Sequence, residues 1–277
     1  MRTLKGFILL TRPPNLLIAL LSIFVGGFVT GTVQPLVKLL TACVSGVFIM
    51  AGANSINDFF DRDIDKINKP GRPLPAGLIS PVQAHTYAVA LFAAGIFLGY
   101  WIHWTGFAIA VMSSIFLYLY SAVLKRTVLL GNITVGLISG LAFVYGGLAV
   151  NRLGSALIVG IFAMFYHTGR EIIKDIEDMK GDESEDARTL PVQYGIRAAM
   201  FWATGILIVL IGLTLIPYYL RIFNIYYLIA VIVGVDLFLI FVIIAMWKRP
   251  EPAFLGKLAV FMKVDMLMGL LAVYLGS

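Results

Sequence analysis

The sequence predicts an all-α, polytopic membrane protein of about nine transmembrane helices. Three observations predict it. Of the 277 residues, 60% are hydrophobic and 13% charged, about half the charged share usual in a soluble domain. Apolar runs of roughly 18–23 residues recur along the chain, the length a helix needs to cross a bilayer. They are rich in Leu, Ile, Ala, Gly and Phe without the alternation of a barrel strand, and lipid leaves a backbone only helices or closed barrels.

Run lengths and Gly, Pro and charge punctuation place the spans near 14–32, 38–60, 82–101, 106–124, 132–150, 155–178, 197–219, 225–247 and 257–275. Pro13 and Pro14 suit the first turn of the first span, where a missing amide donor costs little. That run follows Arg2, Lys5 and Arg12 as a signal peptide would, but no small-residue cleavage signature is obvious after it. It is expected to stay as the first helix. The lone cysteine, Cys43, lies inside an apolar run and reads as a packed thiol.

An odd number of spans puts the termini on opposite sides, and the basic residues test this. With the N-terminus inside, the inner regions hold 18 of the 21 Lys and Arg; Lys38, Arg152 and Arg221 remain outside. Positive charge gathers on the cytoplasmic side. The expectation is a multi-pass cell-membrane protein with its N-terminus in the cytoplasm and Ser277 outside.

The acids are as lopsided. Asp58, Asp61, Asp63 and Asp65 sit at the inner end of the second span. Glu171, Asp175, Glu177, Asp178, Asp182, Glu183, Glu185 and Asp186 sit at and beyond the inner end of the sixth, so 12 of the 15 acids occupy two short segments. Asn54, Asp58, Asp61 and Asp65 are spaced four, three, four, and so are Glu171, Asp175, Asp178 and Asp182. At helical pitch each set forms one narrow stripe. Each is followed by a matching phrase, Arg72-Pro73-Leu74-Pro75 and Arg188-Thr189-Leu190-Pro191. The chain thus reads as one domain over 1–277 with an internal repeat, near 54–75 and 171–191, whose stripes are expected to face each other across a cavity on the cytoplasmic side.

A single acidic helix end reads as a solvated surface; two matched ones argue for shared chemistry. Carboxylates in rows need cations between them. Oxygen donors favour hard cations, and Mg²⁺ takes one or two carboxylates and completes its shell with water and phosphate oxygens. Neighbouring Lys and Arg suit phosphate oxygens that a metal does not reach. The expected substrate is an anionic diphosphate, with Mg²⁺ as cofactor.

Asn57-Asp58-Phe59-Phe60-Asp61-Arg62-Asp63-Ile64-Asp65 resembles the NDxxDxxxD motif of the UbiA-type intramembrane prenyltransferases. Asp175-Ile176-Glu177-Asp178-Met179-Lys180-Gly181-Asp182 resembles their second motif, DxxDxxxD. Order, separation, length and helix count agree, so the resemblance covers essentially the whole chain. It implies transfer of an isoprenyl group from an allylic diphosphate to an acceptor, in a lateral cavity lined by helices and open to lipid. Within the family, Arg12-Pro13-Pro14-Asn15, the run from Arg170 to Asp182 and Ala187-Arg188-Thr189-Leu190-Pro191 look most like the archaeal digeranylgeranylglyceryl phosphate synthases. That group adds geranylgeranyl to the free hydroxyl of geranylgeranylglyceryl phosphate, forming the second ether bond of archaeal membrane lipids. One departure stands out: Tyr120 and Lys125 are five apart, against four in the YxxxK element of other members, which leaves the tyrosine without an assigned role.

The resemblance implies two Mg²⁺ ions held by Asn57, Asp61 and Asp65 on one side and Asp178 and Asp182 on the other. Asp58 and Asp175 would ligate directly or stand behind these ligands; Asp61, Asp65, Asp178 and Asp182 are the expected catalytic set. Lys69, Arg72, Lys125 and Arg126 are candidates for the donor's diphosphate. Arg12, Arg170 and Lys174 are candidates for the phosphate of a lipid-like acceptor. The bilayer is the expected surrounding, and no nucleic-acid partner is expected. Asp236, in the middle of the eighth span, is a costly position for a lone carboxylate; a cavity-facing role and a structural hydrogen bond both fit it. His167 fits the cavity wall or packing, and Lys263 and Asp265 fit a structural pairing. Three other readings compete. An aromatic acceptor, as in quinone or haem pathways, would keep the reaction type. A cation-coupled transporter would also carry acids and a repeat, though nearer the midplane. The CDP-alcohol phosphotransferases use membrane aspartates, but their Asp-Gly-x-x-Ala-Arg signature is absent here.

Overall fold

The computed structural model describes residues 2–184 and 186–276, and every regular element among them is helical. Glu185, counted above with the second acidic set, and the C-terminal Ser277 lie outside the described residues. In chain order the helices are α1 (Arg2–Thr11), α2 (Pro13–Phe28), α3 (Leu36–Phe60), α4 (Arg62–Asn68), α5 (Pro81–Ile102), α6 (Trp104–Ala122), α7 (Leu130–Ala149), α8 (Gly154–Ser184), α9 (Leu190–Tyr219), α10 (Ile225–Val231), α11 (Leu237–Lys248) and α12 (Pro252–Gly276). A 3₁₀ turn, Leu124–Arg126, precedes α7, and a π-helical turn, Ile232–Asp236, joins α10 to α11.

Among the described residues, eight helices are long and apolar enough to cross a membrane; α1 and α2, bent by 43°, supply a ninth span if taken together. Each expected span is found. The sequence pattern does not reveal α1, which is too short to register as a run, or α4. The bend between α1 and α2 has a local cause. Arg12 precedes Pro13, whose ring disfavours the right-handed helical conformation at the residue before it. Arg12 takes φ +51° instead, and α1 must end at Thr11.

The chain forms two compact units. The first contains residues 2–28, Thr32–Val123 and Leu141–Leu153, which carry α1 to α6 and the second half of α7. Its core joins Ile23, Leu39, Cys43, Ile102 and Tyr145, and continues through Ile49, Ala53, Ile56, Ala88 and Phe92. Small residues set the approach of its helices, as dispersion-driven packing in lipid requires. At Gly146 an added Cβ would meet the Ile23 carbonyl at 1.8 Å, so α2 and α7 touch backbone to backbone. Phe7 and Leu10 of α1 pack on Leu74, Leu78, Ile79 and Tyr87, holding down the segment that follows the first acidic motif.

The second unit contains Val29–Gly31, Leu124–Gly140 and the described residues from Gly154 on. Its buried polar groups are paired, as a lipid-embedded helix demands. Tyr166 Oη lies 2.9 Å from Asp265 Oδ2. Asp236 receives the Thr214 hydroxyl at 3.1 and 3.2 Å from its two oxygens, while Tyr227 donates to the Thr214 carbonyl. Asp236 therefore has a structural hydrogen bond, supplied from 22 residues earlier in the chain.

Candidate active site

The first acidic set sits where α3 breaks. Asp61 has φ −86° and ψ 2°, ends α3, and passes the chain into α4, which carries Asp63 and Asp65. Asn57 and Asp61 are one turn apart, and the Asn57 amide donates to Asp61 Oδ2 at 2.8 Å. Asp58 is buried, with its side chain 3% exposed, and is ion-paired with the Arg12 guanidinium. Arg72 Nη1 lies 3.2 Å from Asp58 and 2.5 Å from Asp65 Oδ2, bridging two buried carboxylates. The intervening Asp63 points outward: it is 71% exposed, and a hydrogen bond from Lys66 holds its carboxyl below the usual carboxylate range.

Arg12, Asp58, Lys69 and Arg72 come together around an open cavity of about 420 Å³, lined also by Leu9, Gly71 and Pro73. Sequence separates these residues by up to 60 positions. The end of α1, the buried face of α3 and the turn after α4 join them. That turn is built by backbone bonds from Ala76 N to the Arg72 carbonyl and from Leu78 N to the Pro73 carbonyl, and it runs into the Ser80 cap of α5.

The second acidic set lies on α8, which continues unbroken to Ser184, six residues past the expected end of its span. Asp175 accepts a hydrogen bond from Asn132 at 2.7 Å. Lys174 Nζ lies 3.3 Å from Asp178, which is half exposed. Thr189, the N-terminal cap of α9, donates its hydroxyl to Asp182 at 3.0 Å. The chain reverses between α8 and α9, and Arg188 N bonds to the Arg126 carbonyl in the 3₁₀ turn that also holds Lys125. Gly195, at φ +82°, kinks α9. The kink explains why the sequence pattern starts the seventh span at 197, beyond it.

Arg170, expected near a phosphate, has its guanidinium committed elsewhere. Its Nε donates to the Ala259 carbonyl at 2.9 Å and its Nη1 pairs with Glu171, leaving the side chain 14% exposed. It ties α8 to α12. Asn132 and Thr189 are site residues that the sequence pattern does not single out. The signal for Asn132 is an amide inside an apolar run, and for Thr189 a capping residue before Leu-Pro.

Among the described residues, no three His, Cys, Asp or Glu side chains converge as a ready-made metal cage. The donors present are hard oxygens in pairs one turn apart: Asn57 with Asp61, and Asp178 with Asp182. Mg²⁺ binds in this manner, through one or two carboxylates, with substrate phosphates and water completing its shell.

Comparison with known proteins decides the family. The model of the UbiA prenyltransferase family matches residues 19–263. The chain belongs to that family. UbiA membership makes it a prenyltransferase and a multi-pass membrane protein, and the resemblance carried by the two aspartate motifs is borne out. The chain is 35% identical over 275 residues to the digeranylgeranylglyceryl phosphate synthase of Methanosphaera stadtmanae, covering 99% of this chain and 100% of that protein. A solved structure concerned with digeranylgeranylglyceryl phosphate synthase in membranes has a TM-score of 0.85 at 34% identity, covering 100% and 99% of the two chains. The UbiA homologue of Archaeoglobus fulgidus, solved bound to GPP and Mg²⁺, has a TM-score of 0.73 at 22% identity and covers 97% and 99%; that likeness is one of fold.

Proposed function

We propose that this prenyltransferase moves a geranylgeranyl group from geranylgeranyl diphosphate to the free hydroxyl of geranylgeranylglyceryl phosphate, in a Mg²⁺-dependent reaction. The observation that carries this reading is the cavity lined by Arg12, Lys69 and Arg72. An acceptor with a phosphate of its own needs an anion site besides the one that takes the donor's diphosphate. A cavity whose wall sets three cations against the single carboxylate of Asp58, with Arg72 shared with Asp65, supplies it. The full-length similarity to digeranylgeranylglyceryl phosphate synthases points to the same acceptor.

In this reading Asn57, Asp61 and Asp65, with Asp178 and Asp182, hold the metal. Bound Mg²⁺ would stabilise the negative charge that grows on the leaving diphosphate. Asp58 and Asp175 stand behind these ligands: Asp58 anchors the Arg12 and Arg72 guanidinium groups, and Asp175 is fixed by Asn132. Lys125 and Arg126 meet the diphosphate, and Lys174 steadies Asp178. Lys69 and Arg72, candidates by sequence for the donor's diphosphate, stand with Arg12 in the cavity wall. In this reading the three are reassigned together to the acceptor's phosphate, held by charge-assisted hydrogen bonds. The allylic C–O bond of the donor breaks, diphosphate leaves, and the acceptor oxygen forms the new ether bond while its proton passes to the departing diphosphate or to a carboxylate of the site. Apolar walls protect the electrophilic carbon from water. The family match runs through both units, which supports reading 1–277 as one catalytic domain with an internal repeat.

The test uses the purified protein, geranylgeranyl diphosphate and a panel of acceptors. Reaction is expected with the glycerol phosphate ether, abolished by excess chelator and restored by Mg²⁺. Prenylation of para-hydroxybenzoate or a naphthoate, with none at the ether, would overturn the acceptor assignment and leave the family standing. The charge asymmetry further supports a cytoplasmic N-terminus, with both acidic sets on that side and Ser277 outside. Single cysteines at Lys66→Cys and Lys180→Cys should resist a membrane-impermeant reagent in intact cells. Labelling of either from outside reverses the orientation.

A further inference from the structure

The stripe of α3 begins with Asn54, a buried residue that neither the metal donors nor the cavity wall accounts for. Its amide Nδ2 donates to the Thr11 carbonyl at 2.8 Å, and its Oδ1 accepts from Asn15 Nδ2 at 3.3 Å. Thr11 and Asn15 flank the α1–α2 break. The Thr11 carbonyl belongs to the last turn of α1, where carbonyls lose their partners within the helix. Thr11 is itself buried, so that oxygen needs a protein donor. The next residue, Arg12, is held at φ +51°, a conformation a side-chain-bearing residue keeps only where its surroundings impose it. One helical turn beyond Asn54, Asp58 takes the Arg12 guanidinium. Two residues on one face of α3 therefore grip two consecutive residues of the break. Asn54 holds the backbone and Asp58 holds the side chain.

We propose that Asn54 is a positioning residue that fixes the break through the Thr11 carbonyl and so sets the Arg12 guanidinium in the wall of the cavity. The inference rests on the reading that this cavity seats a substrate phosphate. Asn54→Asp keeps the side chain's size, removes its donor and turns an oxygen toward the carbonyl. Without that anchor the break relaxes toward other backbone conformations, and Arg12 meets the phosphate in a smaller share of molecules.

The experiment is a double-mutant cycle on the full-length protein in detergent, comparing wild type, Asn54→Asp, Arg12→Ala and the double variant. KM and kcat are measured for both geranylgeranyl diphosphate and geranylgeranylglyceryl phosphate. Arg12→Ala and Asn54→Asp are each expected to raise the acceptor's KM about tenfold, with kcat within about twofold of wild type. In the Arg12→Ala background, Asn54→Asp should change that KM by less than about twofold, because the group it acts through is gone. An equal rise in both backgrounds, or no rise in either, overturns the inference. If Arg12→Ala leaves both KM values unchanged, the phosphate reading of the cavity fails and the inference falls with it. If Arg12→Ala raises a KM and Asn54→Asp does not, the inference alone fails. If the coupling appears in the donor's KM, the positioning role stands and the cavity belongs to the diphosphate. Should Asn54→Asp not fold, Asn15→Ala, which removes only the contact to Asn54 Oδ1, serves in the same cycle with a smaller rise of about threefold. Additivity of Asn15→Ala with Arg12→Ala would likewise overturn the inference.

Discussion

The two acidic stripes share a spacing and differ in almost everything around it. On α3 the helix breaks at Asp61, and the carboxylates of Asp58 and Asp65 are buried against the guanidinium groups of Arg12 and Arg72. On α8 the helix runs on without a break; Asp175 and Asp182 receive a neutral amide and a neutral hydroxyl, while Glu171 and Asp178 between them meet Arg170 and Lys174 from the same helix. The following phrases diverge as well. Arg72 of the first turns back onto its own stripe, whereas in the second it is Thr189 that reaches back, and Arg188 is exposed. A guanidinium offsets negative charge; an amide orients a carboxylate and leaves its charge in place. The repeat therefore preserves the spacing of the oxygen donors along the chain. Their electrostatic setting is left to whatever packs against each copy.

Variants can break or sharpen this contrast. The largest effect is expected where the copies agree. Asp61→Ala and Asp178→Ala should each lower turnover by about 10²–10³-fold or more while the protein stays folded, as loss of a group that stabilises developing charge does. Substantial turnover in either variant would show that one stripe suffices. Next come the partners, where the copies differ. Arg72→Gln leaves Asp65 buried without its guanidinium and should destabilise the protein by about 3 kcal/mol. Thr189→Val removes one neutral hydrogen bond and should cost about 1 kcal/mol. Equal losses in denaturant unfolding of the detergent-solubilised protein would erase the distinction.

Smaller still is Lys174→Ala. Its pair with Asp178 is half exposed, so stability should change by no more than about 1 kcal/mol. The smallest effect belongs to Asp63. Because Lys66 lowers its pKa, the contribution of Asp63 to stability is present above the ordinary carboxylate pKa and is lost as pH falls through the lowered folded value. At 71% exposure that contribution is screened by salt, and Asp63→Asn should leave turnover within about twofold. A large loss would place Asp63 among the metal donors and redraw the first stripe.

Periodicity is local, and what it governs was legible in the sequence. The spans followed from apolar run length, and the two stripes followed from the 3.6-residue turn that puts residues four, three and four apart on one face. Asn57 and Asp58 lie on α3, Asp61 at its end and Asp65 on the separate helix α4, so the break at Asp61 divides the single-helix stripe that the spacing predicts. Asp175, Asp178 and Asp182, by contrast, lie on the one helix α8 as expected. Which carboxylates acquire which partners was not legible. Asn132 is 43 residues from Asp175, and Arg12 is 46 from Asp58. No spacing rule links them, because such pairs arise only when helices are packed and a buried charge must find the nearest donor. Arg170 shows the limit from the other side. Its place beside the second motif suggests a phosphate ligand, yet α12 presents the Ala259 carbonyl to it and takes up its Nε. Sequence alone determined where the oxygen donors stand along each helix, since hydrogen bonds inside the helix set that register. Only the tertiary structure decided which cations gather around the cavity beside Asp58, since that depends on α1 folding back over the turn after α4 and on the desolvation that forces buried charges to pair.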